Sequence, residues 1–177
     1  MKKKYIYDED LYPRRYNHIF IVALSGLLLT GLLLKTCLPE QTVEASPTFT
    51  EYDRFAIYFK AWNSPAPEAM AHAVLQTKRP ALMAAIAVKE SNATPWAVGD
   101  SGRSKGAFQV QEQHWGDVPF DPVGQALQAE RILEDIMRDD RKGKLRQVLA
   151  RYNGGGKPPK VSYRYADAVI LQRGILQ

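Results

Sequence analysis

A single glutamate, Glu90, stands where a run of apolar residues ends and a segment rich in glycine and polar residues begins. Leu82, Ile86 and Glu90 recur every four residues, so in a helix this carboxyl shares a face with core side chains. Burial raises the pKa of a carboxyl, and the unpaired carbonyls at a helix end act in the same direction. A carboxylic acid that stays protonated near neutral pH can protonate a leaving oxygen, so the position proposes a general acid.

The simpler alternative is that Glu90 emerges into solvent at the helix end and pairs with Lys89 or Arg103. The segment that follows favours a ligand site, because three glycines within residues 99–106 permit positive φ and close approach of the backbone to a ligand. This segment has neither a P-loop nor a dinucleotide-binding pattern.

The elements that must position Glu90 have the apolar periodicity of helices. Prolines and an Asp-Pro pair occur where helices can begin, and glycines where they can end. About six helices are predicted: one with Phe55, Tyr58, Phe59 and Trp62 on one face, one from Pro67, a nearly all-apolar one from Pro80, a long one from Asp121 and Pro122 to Gly143, one from Leu145 closed by Gly154 to Gly156, and one from about Ser162 to Gly174. Short extended pieces are expected only within residues 97–111. The predicted fold class is mainly α.

The N-terminal part of the chain has the pattern of a membrane anchor. Residues 18–34 are almost wholly apolar and uncharged, at the short end of the roughly 17 to 25 residues that a transmembrane helix needs. More basic residues precede this run than follow it, which predicts a cytoplasmic N-terminus and an exported remainder. A cleaved signal peptide, with "VEA" at residues 43–45 as the cleavage site, and a lipid-modified Cys37 are alternatives.

These patterns predict four segments. They are a basic cytoplasmic N-terminus (residues 1–17), a single transmembrane helix (18–36), a linker with two prolines (37–50) and a helical domain (51–177). The predicted location is the inner membrane with the helical domain in the periplasm, or alternatively a phage virion membrane.

Composition argues against two other classes of protein. The net charge is +5, but residues 1–37 hold six Lys or Arg and three Asp or Glu, which leaves about +2 for the rest. No basic stretch interleaved with aromatic residues is present, so no nucleic-acid partner is predicted. The chain has one cysteine and three histidines without a close pair, so neither a metal site nor a cofactor is predicted.

Several short motifs, taken in order, resemble one enzyme family. Glu90 and Ser91 end a core helix, and the loop residues Pro95, Ala97, Val98 and Gly102 follow. Gly106, Phe108, Gln109 and Val110 come next, then "RYNGG" at residues 151–155, and finally Tyr165 with Val169. Over residues 80–172 this order resembles the lysozyme-like catalytic domain of the lytic transglycosylases, which is related to goose-type lysozymes. The chain departs from the family pattern at Phe108, at Arg151, and by one extra residue between Gly102 and Gly106.

The resemblance implies cleavage of the β-1,4 bond between N-acetylmuramic acid and N-acetylglucosamine in peptidoglycan, without hydrolysis. Glu90 would protonate the glycosidic oxygen and then, as a carboxylate, help the muramyl 6-hydroxyl close a 1,6-anhydro ring. Four substrate-binding roles are also implied: Ser91 would position the reactive sugar, Gln109 would hydrogen-bond the substrate, Tyr152 would point its hydroxyl toward Glu90 or the sugar, and Asn153 would fix the turn beside the cleft.

Two other functions remain open on the sequence. A hydrolytic lysozyme would act on the same bond and would mostly need a second carboxylate, for which Asp100, Glu112 and Asp117 are the candidates. A peptidoglycan-binding scaffold would keep the groove without the activity.

The partners implied are glycan strands and, through residues 18–34, the bilayer. A further partner would be a secretion, conjugation or phage-entry complex. Three aromatic residues, Trp96, Trp115 and Tyr163, could stack on sugar rings, although core packing is predicted for each.

Overall fold

The computed structural model describes residues 48–140 and 143–177. Contacts divide the chain into two units, Met1–Glu44 and Ala45–Gln177. The predicted cytoplasmic N-terminus (1–17), the transmembrane helix (18–36) and most of the linker (37–50) lie outside the described residues. No helix within residues 48–140 and 143–177 combines the length and apolar character that crossing a bilayer requires.

The described part of the second unit is mainly helical, which confirms the predicted class. Seven α-helices are present in the described residues: α1 (Glu51–Ala61), α2 (Pro67–Leu75), α3 (Pro80–Ser91), α4 (Glu112–Trp115), α5 (Pro122–Asp139), α6 (Leu145–Gly154) and α7 (Lys160–Ile175). Six of them correspond to the predicted helices. The seventh, α4, was not predicted, because four residues are too few to show helical periodicity.

Local capping explains where the helices begin. The Thr50 and Asp53 side chains form a reciprocal capping box at the start of α1. The carboxylate of Asp121 accepts a 2.7 Å hydrogen bond from the Gly124 N–H and caps α5 as predicted. Prolines occupy the first turns of α2, α3 and α5, where a missing N–H leaves no bond unmade.

Three predicted helix ends were wrong by a few residues. Helix α5 ends at Asp139, before Gly143. Helix α7 begins at Lys160 rather than Ser162, because the extended backbone of Pro159 precedes it, and it continues through Gly174 to Ile175. A single glycine near a helix end costs only about 1 kcal/mol, so packing can carry the helix past it.

Helix α3 is at the centre of the core, as its all-round apolar sequence predicts. Every side chain from Leu82 to Val88 is buried. Helix α3 packs against α1, α2, α5 and α7, while the most extensive contacts join α6 to α7 and α1 to α2. Glu90 therefore stands at the end of the most buried helix of the described chain.

The segment between α3 and α4 contains the extended pieces expected there. Strands β1 (Val98–Gly99), β2 (Ser104–Lys105) and β3 (Val110–Gln111) form an antiparallel sheet in the order β1-β2-β3. Val98 pairs with Lys105, and Lys105 with Val110. One 3₁₀ turn at Asp100–Gly102 joins β1 to β2. We call residues 95–111, which contain this sheet, the sheet loop.

Candidate active site

A cavity of about 830 Å³ opens beside the end of α3. Its volume falls within the roughly 300–1,000 Å³ of typical ligand clefts. The walls come from the end of α3, the sheet loop, α4, α5 and the end of α6. The lining residues are Glu90, Asp100, Ser104, Gln109, Val110, Gln111, His114, Trp115, Ile132, Ile136 and Arg151 to Gly155. Four of the five predicted site residues line it, and Ser91 does not.

Glu90 is the group with the chemistry of a general acid in this cavity. The residue is only partly buried, and it lines the cavity. Its carboxyl is nevertheless surrounded closely enough by protein that loss of water dominates and raises its pKa to about 7. The Tyr165 hydroxyl opposes this rise, the charge of Asp100 adds to it, and the charge of Lys89 opposes it least. The Arg103 side chain donates its Nε–H to the Asp100 carbonyl at 3.1 Å, and among the described residues it forms no ion pair with Glu90.

Two tyrosine hydroxyls lie close to the Glu90 carboxyl. Burial, together with the negative charge of Glu90, raises the pKa of both Tyr152 and Tyr165 well above the usual value, so both remain protonated donors. The Tyr165 hydroxyl has no partner of standard hydrogen-bond geometry among the described residues, although it is near enough to influence the pKa of Glu90. The Tyr165 hydroxyl therefore lies near the Glu90 carboxyl and is not engaged by another described residue.

The Tyr152 hydroxyl is close enough to Glu90 to interact with its charge, as the resemblance implies, but its proton is engaged by the backbone. It donates to the backbone carbonyl of Phe108 at 3.1 Å, which ties α6 to the sheet loop. Tyr152 still lines the cavity and senses the charge of Glu90. Tyr165 is the second tyrosine whose hydroxyl interacts with Glu90, and sequence reasoning gave it no role at the site. The only signal was its place in the last motif of the family resemblance.

Ser91 holds the sheet loop, which differs from its predicted contact with a sugar. Its hydroxyl donates to the Ala107 carbonyl at 2.8 Å and accepts from the Thr94 N–H at 3.0 Å. A hydroxyl has one proton to donate, so this proton is already engaged. Ser91 thus fixes the sheet loop against the end of α3.

Gln109 lines the cavity in a strained and closely fitted position. Its backbone has φ +50°, which costs a residue other than glycine about 1 kcal/mol or more. Its Nε2 donates to the Gly106 carbonyl at 3.0 Å. Its Oε1 lies against Gly99, where an added Cβ would come within 2.0 Å of that oxygen. Because Gly99 has no side chain, the Gln109 amide has room to occupy this position.

Asn153 lies in the last turn of α6, is exposed, and lines the cavity. The helix ends immediately after it, with Gly155 at φ +75°. This agrees with the predicted position beside a turn at the cavity edge.

Among the three candidate second carboxylates, only Asp100 lines the cavity with Glu90. Its Oδ2 accepts from the Ser104 hydroxyl at 2.8 Å and from Gln111 Nε2 at 3.3 Å. Glu112 instead pairs with Lys105 at 2.5 Å, and that bond lowers its pKa. Asp117 is exposed and outside the lining.

The prediction that Trp96 and Trp115 pack in the core was wrong. Trp115 is 43% exposed and lines the cavity, and Trp96 is 62% exposed. Tyr163, by contrast, packs against the core, with the Arg146 guanidinium 4.9 Å from its ring centre. Trp115 is therefore the aromatic ring available for stacking at the cavity.

Gln125 organises the sheet loop, and sequence reasoning missed it. The residue is 3% exposed. Its Oε1 accepts from the Ala107 N–H at 2.8 Å, and its Nε2 donates to the carbonyls of Pro95 at 2.9 Å, Pro119 at 3.0 Å and Phe120 at 3.3 Å. The only signal in the sequence is the three-residue spacing between Gln125 and Gln128, which places two polar side chains on one buried face of α5.

Within the described residues, no group of three or more His, Cys, Asp or Glu side chains is arranged to hold a metal ion. Comparison of the chain with protein-family models, with curated proteins and with solved structures found no match.

Proposed function

We propose that residues 51–177 form a lysozyme-like peptidoglycan lytic transglycosylase that cleaves the bond between N-acetylmuramic acid and N-acetylglucosamine and leaves 1,6-anhydro ends. One observation carries the proposal: a glutamate with a pKa of about 7 lines a cavity of about 830 Å³. An acid of this pKa is half protonated near neutral pH and can act first as an acid and then as a base. The order of motifs in the sequence supplies the substrate class.

The proposed reaction uses Glu90 twice. The protonated carboxyl donates its proton to the glycosidic oxygen, the bond from that oxygen to muramyl C1 breaks, and N-acetylglucosamine leaves as an alcohol. The resulting carboxylate then takes the proton of the muramyl 6-hydroxyl as O6 bonds to C1, which restores protonated Glu90. The Tyr165 hydroxyl, close to Glu90 and otherwise without a partner among the described residues, stabilises the carboxylate between the two steps.

The activity should depend on pH through Glu90. Protonated Glu90 predominates below its pKa of about 7, so we expect kcat/KM to be halved near pH 7 and to fall about tenfold per unit at higher pH. The measurement is release of soluble fragments from purified sacculi between pH 4 and 9, normalised to the folded fraction. A rate that rises with pH through 7 would contradict the acid role.

A substitution at Gly99 can move the Gln109 side chain without changing Gln109 itself. In Gly99→Ala the new Cβ would overlap Gln109 Oε1 and turn its amide away from its present position, while φ −119° at residue 99 is acceptable for alanine. If Gln109 hydrogen-bonds the glycan, kcat/KM should fall about three- to tenfold, as expected for one lost hydrogen bond. Gln109→Ala should give a similar fall, and the double variant no further loss. Additive losses would show that Gly99→Ala acts elsewhere.

Hydrolysis is the second candidate, because Asp100 lines the same cavity as Glu90 and could activate a water molecule. The products decide between the two reactions. Mass spectrometry of digested sacculi should show fragments lighter by one water when anhydro ends form, and reducing ends when water is the acceptor. Fragments with reducing ends only would replace the transglycosylase by a lysozyme.

The proposed location follows from the sequence. Residues 18–36 would anchor the chain in the inner membrane, with residues 51–177 in the periplasm next to the wall, or would place it in a phage virion membrane. An anchored enzyme would cut locally and suits a secretion or conjugation apparatus or the passage of a phage genome. Protease added to spheroplasts should degrade residues 51–177 while intact cells protect them, and protection in both would contradict the periplasmic location.

A further inference from the structure

The cavity has an uneven distribution of charge along its walls. Glu90 and Asp100 contribute acidic groups from the end of α3 and from the sheet loop. Arg151, in the last turn of α6, is the one Lys or Arg among the described residues that line the cavity. An anionic group of a ligand would therefore be disfavoured on the side of Asp100 and Glu90, most of all when Glu90 is ionised, and attracted at the α6 wall.

The guanidinium of Arg151 lies near two carboxylates but forms no hydrogen bond with either. Its Nη2 lies 3.8 Å from Asp139 Oδ2, and its Nη1 lies 3.9 Å from Asp140 Oδ2. Both distances exceed those of hydrogen bonds. The Asp139 side chain is 73% exposed, so water screens its attraction, whereas the Asp140 side chain is 17% exposed and remains a partial counter-charge to Arg151. Neither acid accepts a hydrogen bond from Arg151, so its N–H groups can still donate to a carboxylate of a ligand, whose two oxygens match the planar fork of a guanidinium.

We propose that Arg151 binds a carboxylate carried by the muramyl residue. This contact would fix the direction and the register of a glycan strand in the cavity. The proposal rests on the proposed function. Two carboxylates have this chemistry. One is the lactyl carboxylate of N-acetylmuramic acid, which is free only where the stem peptide has been removed. The other is a carboxylate of the stem peptide itself. Strands of uncharged amino sugars, such as chitin, lack both.

The test measures affinity in the full chain carrying Glu90→Gln, so that ligands are not consumed. The probes are a peptide-free tetrasaccharide of alternating N-acetylglucosamine and N-acetylmuramic acid, the same tetrasaccharide with its lactyl carboxylates amidated, and the tetrasaccharide with stem peptides attached. Calorimetry should give tenfold or tighter binding of a carboxylate-bearing probe than of the amidated one, because one charge-assisted pair contributes about this much. Whichever of the two carboxylate-bearing probes shows the preference identifies the source of the carboxylate.

Adding Arg151→Gln should bring the preference close to one, and Arg151→Lys should retain part of it. Arg146→Gln is the matched control, because it removes the same charge from the same helix outside the cavity, where Arg146 pairs with Asp167. Thermal unfolding of each variant separates loss of binding from loss of folding.

The outcomes separate the two proposals. The role of Arg151 is wrong if Arg151→Gln leaves the preference for the carboxylate-bearing probe unchanged. It is also wrong if the chain with Arg151 intact shows no such preference, even when the parent protein digests sacculi. An Arg151-dependent preference, together with no digestion of sacculi by the parent protein with Glu90 intact, supports the carboxylate site and contradicts the enzymatic function. If no probe binds the Glu90→Gln chain, the role of Arg151 is wrong.

Discussion

Replacing Glu90 with glutamine should reduce the release of fragments from sacculi by at least about 10²–10⁴-fold, the usual contribution of a positioned general acid. Glutamine has nearly the same shape as the protonated acid but has no proton to give to the glycosidic oxygen. Glu68→Gln is the matched control, because Glu68 is an exposed residue of α2 that pairs only loosely with Lys60, at 3.6 Å. Digestion by Glu90→Gln at the parental rate would remove the catalytic assignment.

The same variant should be more stable than the parent at high pH. The native pKa of Glu90 is raised from 4.5 to about 7, so between these values the folded chain holds a proton that the unfolded chain has lost. The parent therefore loses stability as pH rises through this window, and glutamine does not. The difference in free energy of unfolding should favour Glu90→Gln increasingly from pH 4 to pH 8. A difference that is constant with pH would mean that the carboxyl is not desolvated.

Replacing Gln125 with leucine should lower the free energy of unfolding by about 3 kcal/mol, because buried backbone groups that lose their partners cost roughly 1–3 kcal/mol each. The Ala107 N–H and the Pro95 carbonyl are both satisfied by this side chain. Digestion should also weaken, since these bonds hold the sheet loop that carries Asp100 and Gln109 into the cavity. Urea unfolding measures the first effect and sacculus digestion the second.

Gln147→Ala provides the comparison for Gln125→Leu. Gln147 is an exposed residue of α6, so its replacement should change stability by less than about 0.5 kcal/mol. If Gln125→Leu were equally mild, the loop would be held by other contacts, such as the Ser91 hydroxyl on Ala107.

The local signals of the sequence predicted most of the helices. The prolines at 67, 80 and 122 and the Asp121 cap depend only on neighbours within a turn, so they can be recognised without tertiary information. The ends of α5 and α7 were wrong because a glycine permits a helix to end without requiring it. Helix α4 was missed for its short length.

The structure of the sheet loop could not be predicted from local sequence signals. Three short strands were expected only as extended pieces, because two-residue strands have no measurable alternation. The burial of Gln125 and the engagement of the Ser91 hydroxyl depend on partners in other elements. A hydroxyl or an amide does not reveal in the sequence whether its partner will be a backbone group or a ligand, so Ser91 was assigned to a sugar and Gln125 was overlooked.

The sequence by itself determined that a glutamate ends the most apolar helix of the chain and that a glycine-rich segment follows it. Only the tertiary structure decided that the Glu90 carboxyl meets Tyr165 from α7, shares its cavity with Asp100 and Arg151, and has a pKa of about 7. The reason is that helix formation depends on residues a turn apart, whereas desolvation and electrostatic interaction depend on which distant segments pack around one atom.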